Sequence, residues 1–181
     1  ITLYNIKTKV EITKYDITGT NPLPGAKLQV KDLDGNVMDE WTSTDKAHVI
    51  EGVLVSGQTY ILREASAPKG YAKAADQQII VGTDGKVQNV TMQDIATKVG
   101  IDKVDEDGKP LSGAVLQLLD AAGTEVEQWT TDGTTHRIDA VLTAGAEYTL
   151  HEVSAPDGYC VAADQKFTVN ADGSLTNVKL T

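Results

Sequence analysis

An internal repeat restricts what this chain can fold into more than any other feature of its sequence. Two motifs occur twice, VEITKYD at 10–16 as VGIDKVD at 99–105, and YILREASAPKGY at 60–71 as YTLHEVSAPDGY at 148–159. The offset between the copies falls from 89 to 88 residues between the two motifs, so the first copy holds one extra residue near Thr18 to Asn21. A period of this length in 181 residues predicts two tandem domains, each large enough for its own core.

Composition excludes several classes of function. The net charge of −10 argues against nucleic acid and anionic membranes as partners. No apolar run is long enough for a transmembrane span. Cys160 is the only cysteine, so neither an intrachain disulfide nor a thiolate metal cluster can form; its alignment with Ala72 predicts a small residue filling a small space. We expect no cofactor and no metal, and we interpret the sequence as a fragment of a longer protein.

Apolar and polar residues alternate with a period of two along most of the chain, and Asp-Gly turn signals separate the segments. This pattern predicts an all-β fold of two sandwiches with about seven strands each. The first copy has predicted strands near 9–16, 26–32, 37–43, 47–55, 58–65, 77–82 and 87–94. The second has them near 98–105, 114–120, 125–131, 135–142, 146–153, 165–170 and 175–181. Because the junction at 95–97 is short, we expect the domains to stack end to end.

Three charged residues of the first copy share a strand face with apolar residues. Lys14 follows Val10 and Ile12 in phase, Glu64 follows Tyr60 and Leu62, and Asp94 follows Val90 and Met92. The apolar face of each strand is the core face, so all three charges are predicted to point inward. An unpaired buried charge is costly, and we therefore expect Lys14, Glu64 and Asp94 to converge.

Such a triad has the chemistry for amide formation. Burial favours a neutral lysine amine, which is a nucleophile, and a protonated glutamic acid. Glu64 in that state can polarise the Asp94 carboxyl while Lys14 attacks it, which expels water and leaves a Lys–Asp isopeptide bond. The alternative from the residues alone is a buried salt-bridge triad without a covalent bond.

The motifs resemble a known family. Ile-x-Lys-x-Asp, Pro-Leu-x-Gly-Ala (22–26 and 110–114) and Tyr-x-Leu-x-Glu-x-x-Ala-Pro-x-Gly-Tyr together are similar to the CnaB-type, or SpaA-pilin-type, domains of Gram-positive surface adhesins and pilins. The resemblance implies a prealbumin-like, inverse immunoglobulin sandwich with a spontaneous isopeptide bond. It implies Lys14 and Lys103 as nucleophiles, Glu64 and Glu152 as catalytic acids, and Asp94 as acceptor.

The second copy departs from this pattern at its last strand. The position equivalent to Asp94 would follow Thr181, and Asn177 lies on the other strand face. Residues 1–10 align without gaps to 90–99, which places Asn5 at the acceptor position. We therefore divide the chain into 1–6, the last strand of a preceding domain, 7–96, the first domain, and 97–181, the second. Either the fragment is out of frame by one strand, or the Asn5 strand completes the second domain of another chain in trans.

The sequence favours a structural stalk of a cell-wall adhesin or pilin, extracellular on a Gram-positive bacterium. Its partners would be adjacent domains of the same protein, and its self-crosslinking would be a single-turnover reaction, not an enzyme activity. A ligand-binding adhesin module for a carbohydrate or host matrix protein is the alternative. A transthyretin-like enzyme is a weaker one, because the three histidines are scattered.

Overall fold

The computed structural model describes residues 4–181, and every regular element in that range is a β-strand. This confirms the all-β prediction. No helix in this range is long and apolar enough to cross a membrane. The strands are β1 (Lys9–Asp16), β2 (Lys27–Lys31), β3 (Val37–Thr42), β4 (His48–Glu51), β5 (Thr59–Ser66), β6 (Tyr71–Ala72), β7 (Gln77–Ile80), β8 (Val87–Ala96), β9 (Lys98–Lys103), β10 (Ser112–Leu119), β11 (Glu125–Asp132), β12 (His136–Asp139), β13 (Glu147–Ser154), β14 (Gln165–Thr168) and β15 (Leu175–Leu180).

The chain forms two compact units. The first comprises the described residues up to Pro68 together with Lys73–Ile95, and the second comprises Lys69–Ala72 and Ala96–Thr181. The second unit thus includes four residues that belong to the first sequence repeat.

Two sheets enclose the core of the first repeat, in the orders β4-β1-β8-β6 and β3-β2-β5-β7. β1 pairs in parallel with β8, so the first long strand and the last lie side by side. Every second residue along the strands of both sheets points into the core, which includes Ile12, Leu28, Leu62 and Met92. The period-two pattern therefore sets which side chains face the interior.

The second unit repeats this arrangement with its own core. Its sheets have the orders β12-β9-β15 and β11-β10-β13-β14, and β9 pairs in parallel with β15. Ile101, Leu116, Leu150 and Val178 occupy the core positions that the repeat assigns to them.

Each core is closed at one side by a stacked aromatic pair. Trp41 of β3 stacks on His48 of β4 with ring centroids 4.1 Å apart, and His48 Nε2 lies 2.8 Å from Asp39 Oδ2. Trp129 and His136 repeat the stack at 4.1 Å. Because β3 and β4 belong to different sheets, this contact links the sheet edges across the sandwich.

The strands differ from the prediction mainly at two places. The strands predicted over 47–55 and 135–142 are shorter, ending at Glu51 and Asp139, because Gly52 and Ala140 adopt positive φ angles of 70° and 57°. A residue in that conformation cannot continue a strand. The short β6 was not predicted.

The environment predicted for Cys160 was wrong. Its counterpart Ala72 is buried, as a small residue in a small space should be, whereas Cys160 is exposed. The two positions are equivalent in sequence but differ in what surrounds them, a difference that no local pattern encodes.

Candidate functional site

Three strands bring Lys14, Glu64 and Asp94 together in the core of the first unit. Lys14 lies on β1, Asp94 on the adjacent parallel β8, and Glu64 on β5 of the opposite sheet. All three are at most 1% exposed, and Lys14 is the largest of the fully buried side chains. Each of the three residues lies at a strand position that faces the core, as the alternation of apolar residues in the sequence predicts.

Polar contacts within the triad are close but incomplete. Lys14 Nζ donates to Asp94 Oδ1 and lies 3.4 Å from Glu64 Oε2. Glu64 Oε2 also accepts a hydrogen bond of 2.7 Å from the backbone N–H of Ala74. Glu64 Oε1 and Asp94 Oδ2 are buried without a hydrogen-bond partner among the described residues. Unsatisfied buried oxygens are costly, which sets this cluster apart from an ordinary structural ion pair.

The protonation of Glu64 is shifted toward the neutral acid. The pKa of Glu64 is raised to about 7: burial raises it most and the neighbouring Asp94 carboxyl also raises it, while the Ala74 N–H and the Lys14 charge oppose the rise. At neutral pH a large fraction of Glu64 therefore carries a proton that it can donate to a neighbouring carboxyl oxygen.

Among residues 4–181, the second unit contains two of the three groups. Lys103 Nζ lies 3.5 Å from Glu152 Oε2, and both residues are buried. The backbone N–H of Ala162 donates to Glu152 Oε2 at 2.5 Å, while Glu152 Oε1 has no partner within the described part of the chain. Within the part of the chain that the structure describes, the site thus repeats the first one except for the acceptor.

Strand register shows where an acceptor for the second site would lie. In the first unit Lys14 stands opposite Met92, and Asp94 follows two residues later. In the second, Lys103 stands opposite Leu180, so the equivalent position lies beyond Thr181. Asn177 is exposed, and so is Asn5, which lies outside any strand.

Sequence reasoning missed one part of both sites, the backbone donors Ala74 and Ala162. Both begin a repeated segment, since AADQ at 74–77 recurs at 162–165. That repeat was the available signal, but it gives no indication that a main-chain N–H, not a side chain, contacts the glutamate.

Known proteins share this fold. Residues 8–96 and 97–181 each match the SpaA prealbumin-like fold domain family. Among solved structures, the Bacillus anthracis TIE protein is 22% identical with a TM-score of 0.53; the match covers 97% of this chain and 34% of that one. The shaft pilin SpaA of Lactobacillus rhamnosus GG is 18% identical with a TM-score of 0.45, covering 96% of this chain and 97% of that one. The Streptococcal ancillary pilin is 20% identical with a TM-score of 0.47, covering 98% and 63%.

The chain therefore spans about a third of the TIE protein that it matches. No curated protein sequence matches it. Because two family matches together cover almost every residue, the chain belongs to the SpaA prealbumin-like fold domain family and contains that domain twice.

Proposed function

We propose that this chain is a load-bearing part of a Gram-positive cell-surface adhesin or pilin, and that an autocatalytic Lys14–Asp94 isopeptide bond locks its first domain. The observation that supports this most directly is the buried convergence of Lys14, Glu64 and Asp94, with two carboxyl oxygens left unpaired. The mass of the denatured chain tests the proposal. The chemistry is a single self-modification, and the role is structural, on the outside of the cell.

The bond would form by direct condensation. The neutral Lys14 amine attacks the Asp94 carboxyl carbon, and Glu64 donates a hydrogen bond to the Asp94 carbonyl oxygen as negative charge develops there. The new C–N bond forms and one C–O bond breaks. The displaced hydroxyl leaves as water after taking up a proton from the nitrogen, which Glu64 relays. Glu64 ends in the protonation state in which it began, so one carboxyl serves as both acid and base.

Protonation of Glu64 should be visible in stability when the bond is absent. In a Lys14→Ala background we expect Glu64 to keep its raised pKa, since Lys14 opposes the rise. The folded state then holds a proton that the unfolded state has lost. The resulting stabilisation is fully present below pH about 4.5 and is lost as the pH rises through the raised folded-state pKa, which is about 7 when Lys14 is present.

Measuring the unfolding free energy of Lys14→Ala and of Lys14→Ala/Glu64→Gln from pH 4 to pH 8 tests this. As the pH rises from 4 to 8, the unfolding free energy of the single variant should fall by about 3 kcal/mol relative to that of the double variant, because one pKa unit corresponds to about 1.4 kcal/mol. A difference that stays constant with pH would show that Glu64 does not hold a proton in the folded state.

For the second domain we propose that Lys103 and Glu152 act on an acceptor carried by another strand, with Asn5 of a second chain as the candidate in trans. The incomplete site at Glu152 Oε1 and the exposure of Asn5 favour this. Attack of Lys103 on the Asn5 carboxamide would release ammonia. Because β15 already pairs with β9 up to Leu180, the Asn5 segment would have to displace the end of β15.

Concentrated protein analysed on a denaturing gel tests the trans reaction. A ladder of multimers that disappears in both Asn5→Ala and Lys103→Ala is expected. Monomer alone after prolonged incubation at high concentration would contradict donation in trans, and it would leave the Lys14–Asp94 proposal unaffected.

A further inference from the structure

One loop motif has two different environments in this chain. The loops at 68–71 and 156–159 share the sequence Pro-x-Gly-Tyr, and their glycines have the same backbone conformation, with φ of 88° at Gly70 and 87° at Gly158. Gly70 is nevertheless buried, whereas Gly158 is exposed and a Cβ added to it would meet open space. The difference lies in what covers each loop.

A socket in the second unit covers Gly70. The backbone N–H of Thr97 donates to Gly70 O at 2.9 Å, and the Thr97 hydroxyl donates to Leu142 O at 2.8 Å. A Cβ on Gly70 would lie 2.2 Å from Ala140 O, so only glycine fits. Ala140 is the one non-glycine residue with positive φ among residues 4–181. Thr97, Ala140 and Leu142 form this socket.

The first unit carries the same socket. Thr8, Gly52 and Leu54 are the sequence equivalents of the three socket residues. The Thr8 hydroxyl donates to Leu54 O at 2.6 Å, and Gly52 N–H donates to Thr8 O at 2.8 Å, as Ala140 N–H donates to Thr97 O at 2.9 Å. The Lys7 side chain lies over Gly52, but it is 75% exposed, so a ligand can displace it easily.

Charges differ between the two loop and socket pairs in a matched way. Lys69, which precedes the buried Gly70 and is itself exposed, lines a cleft together with Asp120 and Glu147 of the second unit. The exposed loop has Asp157 in place of Lys69; the first unit keeps an acid, Asp32, in place of Asp120 but has Thr59 in place of Glu147. The first unit also has Lys7 where the second has Ala96. The exposed loop thus carries an acid where the first loop carries a base. The socket of the first unit, in turn, has one acidic residue fewer and one basic residue more beside it than the socket of the second unit.

We propose that the loop at 156–159 of one molecule docks into the Thr8–Gly52–Leu54 socket of a second copy of this chain. Loop and socket are different surfaces, so the contact is head-to-tail and can propagate. A contact of a few residues is far smaller than a stable interface, so it forms only at high concentration or when the partners are tethered. The contact is non-covalent and does not depend on the isopeptide chemistry.

Amide NMR spectra of the full chain from micromolar to millimolar concentration test the docking. We expect concentration-dependent shifts at Thr8, Gly52, Leu54 and Gly158, and none at Gly70, whose socket is already filled. Asp157→Lys should abolish the shifts, and adding Lys7→Glu should restore them. Asp107→Lys, in an exposed Asp-Gly turn elsewhere, changes the net charge equally and should leave them intact.

Two results would overturn the proposal. One is the absence of shifts at the socket and loop at millimolar concentration, and the other is shifts that Asp157→Lys and Asp107→Lys reduce equally. Asp157→Lys and Lys7→Glu leave every core residue unchanged. If the rest of the spectrum is unaltered, loss of the concentration-dependent shifts therefore cannot be attributed to unfolding.

A pair of matched glycine substitutions tests the socket itself. Gly70→Ala should lower the unfolding midpoint clearly more than Gly158→Ala, because both alanines adopt a positive φ but only the first would clash with the Ala140 carbonyl. Equal effects of the two substitutions on thermal unfolding would show that Gly70 is not held in this socket. The docking of Gly158 is inferred from the contacts of Gly70, so that result would also overturn the proposal.

Discussion

The denatured wild-type chain is expected to weigh one water less than its sequence requires, and Lys14→Ala and Glu64→Ala are each expected to have the full mass of their sequence. The first substitution removes the nucleophile, and the second removes the group that polarises the acceptor. Lys103→Ala is the matched control, because its site lacks an acceptor among the described residues, and this variant should still show the loss of one water.

Loss of the bond should also lower stability by a large amount. The proposed bond would close a loop between residues 80 positions apart, and by analogy with a disulfide such a closure stabilises by about 4–5 kcal/mol. For a domain of this size that corresponds to a decrease of about 20–30 °C in the melting temperature of the first domain. Glu64→Gln should show the same decrease, because it prevents the reaction while nearly preserving side-chain volume.

The outcome that contradicts the proposal is simple to recognise. A wild-type mass without the loss of water would leave a buried salt-bridge triad. It would weaken the structural-stalk interpretation and would favour the alternative of a ligand-binding module.

Mechanical unfolding should reveal the second large effect. A pulling force applied to the ends of the chain enters the first domain through β1 and leaves it through β8, and a Lys14–Asp94 bond would carry that force past the intervening residues. In wild type only the second domain should extend. Lys14→Ala should add a second event with a gain in length of about 270 Å, since 80 residues extend by about 3.3–3.6 Å each.

The second domain provides an internal control in the same molecule. Its strands β9 and β15 are related as β1 and β8 are, but no acceptor lies beside Lys103 within residues 4–181. It should therefore extend in wild type and in the variant alike. Two extension events in wild type would show that the first domain is not covalently bridged.

The positions of the strands and the direction of their side chains were predictable from the sequence. Lys14, Glu64 and Asp94 each follow two apolar residues in strict alternation, and successive strand residues point to opposite faces. The single-residue insertion of the first copy also lay where expected. It falls in the turn at 17–21, which the backbone bridge between Tyr15 and Pro22 closes. Alternation fixes these features because it is a local property of the chain.

Alternation along the chain is enough to predict two β-sandwiches with Lys14, Glu64, Lys103 and Glu152 facing their cores. The atoms that contact those side chains follow from tertiary packing, which alternation does not specify. The donors Ala74 and Ala162 reach the glutamates through loop conformation, and the pKa of Glu64 depends on how completely its surroundings exclude water.

The exposure of Cys160 and Gly158 shows the same limit. Their counterparts Ala72 and Gly70 are buried, although Gly70 and Gly158 adopt the same backbone conformation. Burial depends on contacts between residues far apart in the chain, such as Gly70 with Thr97, and a periodic pattern does not encode them.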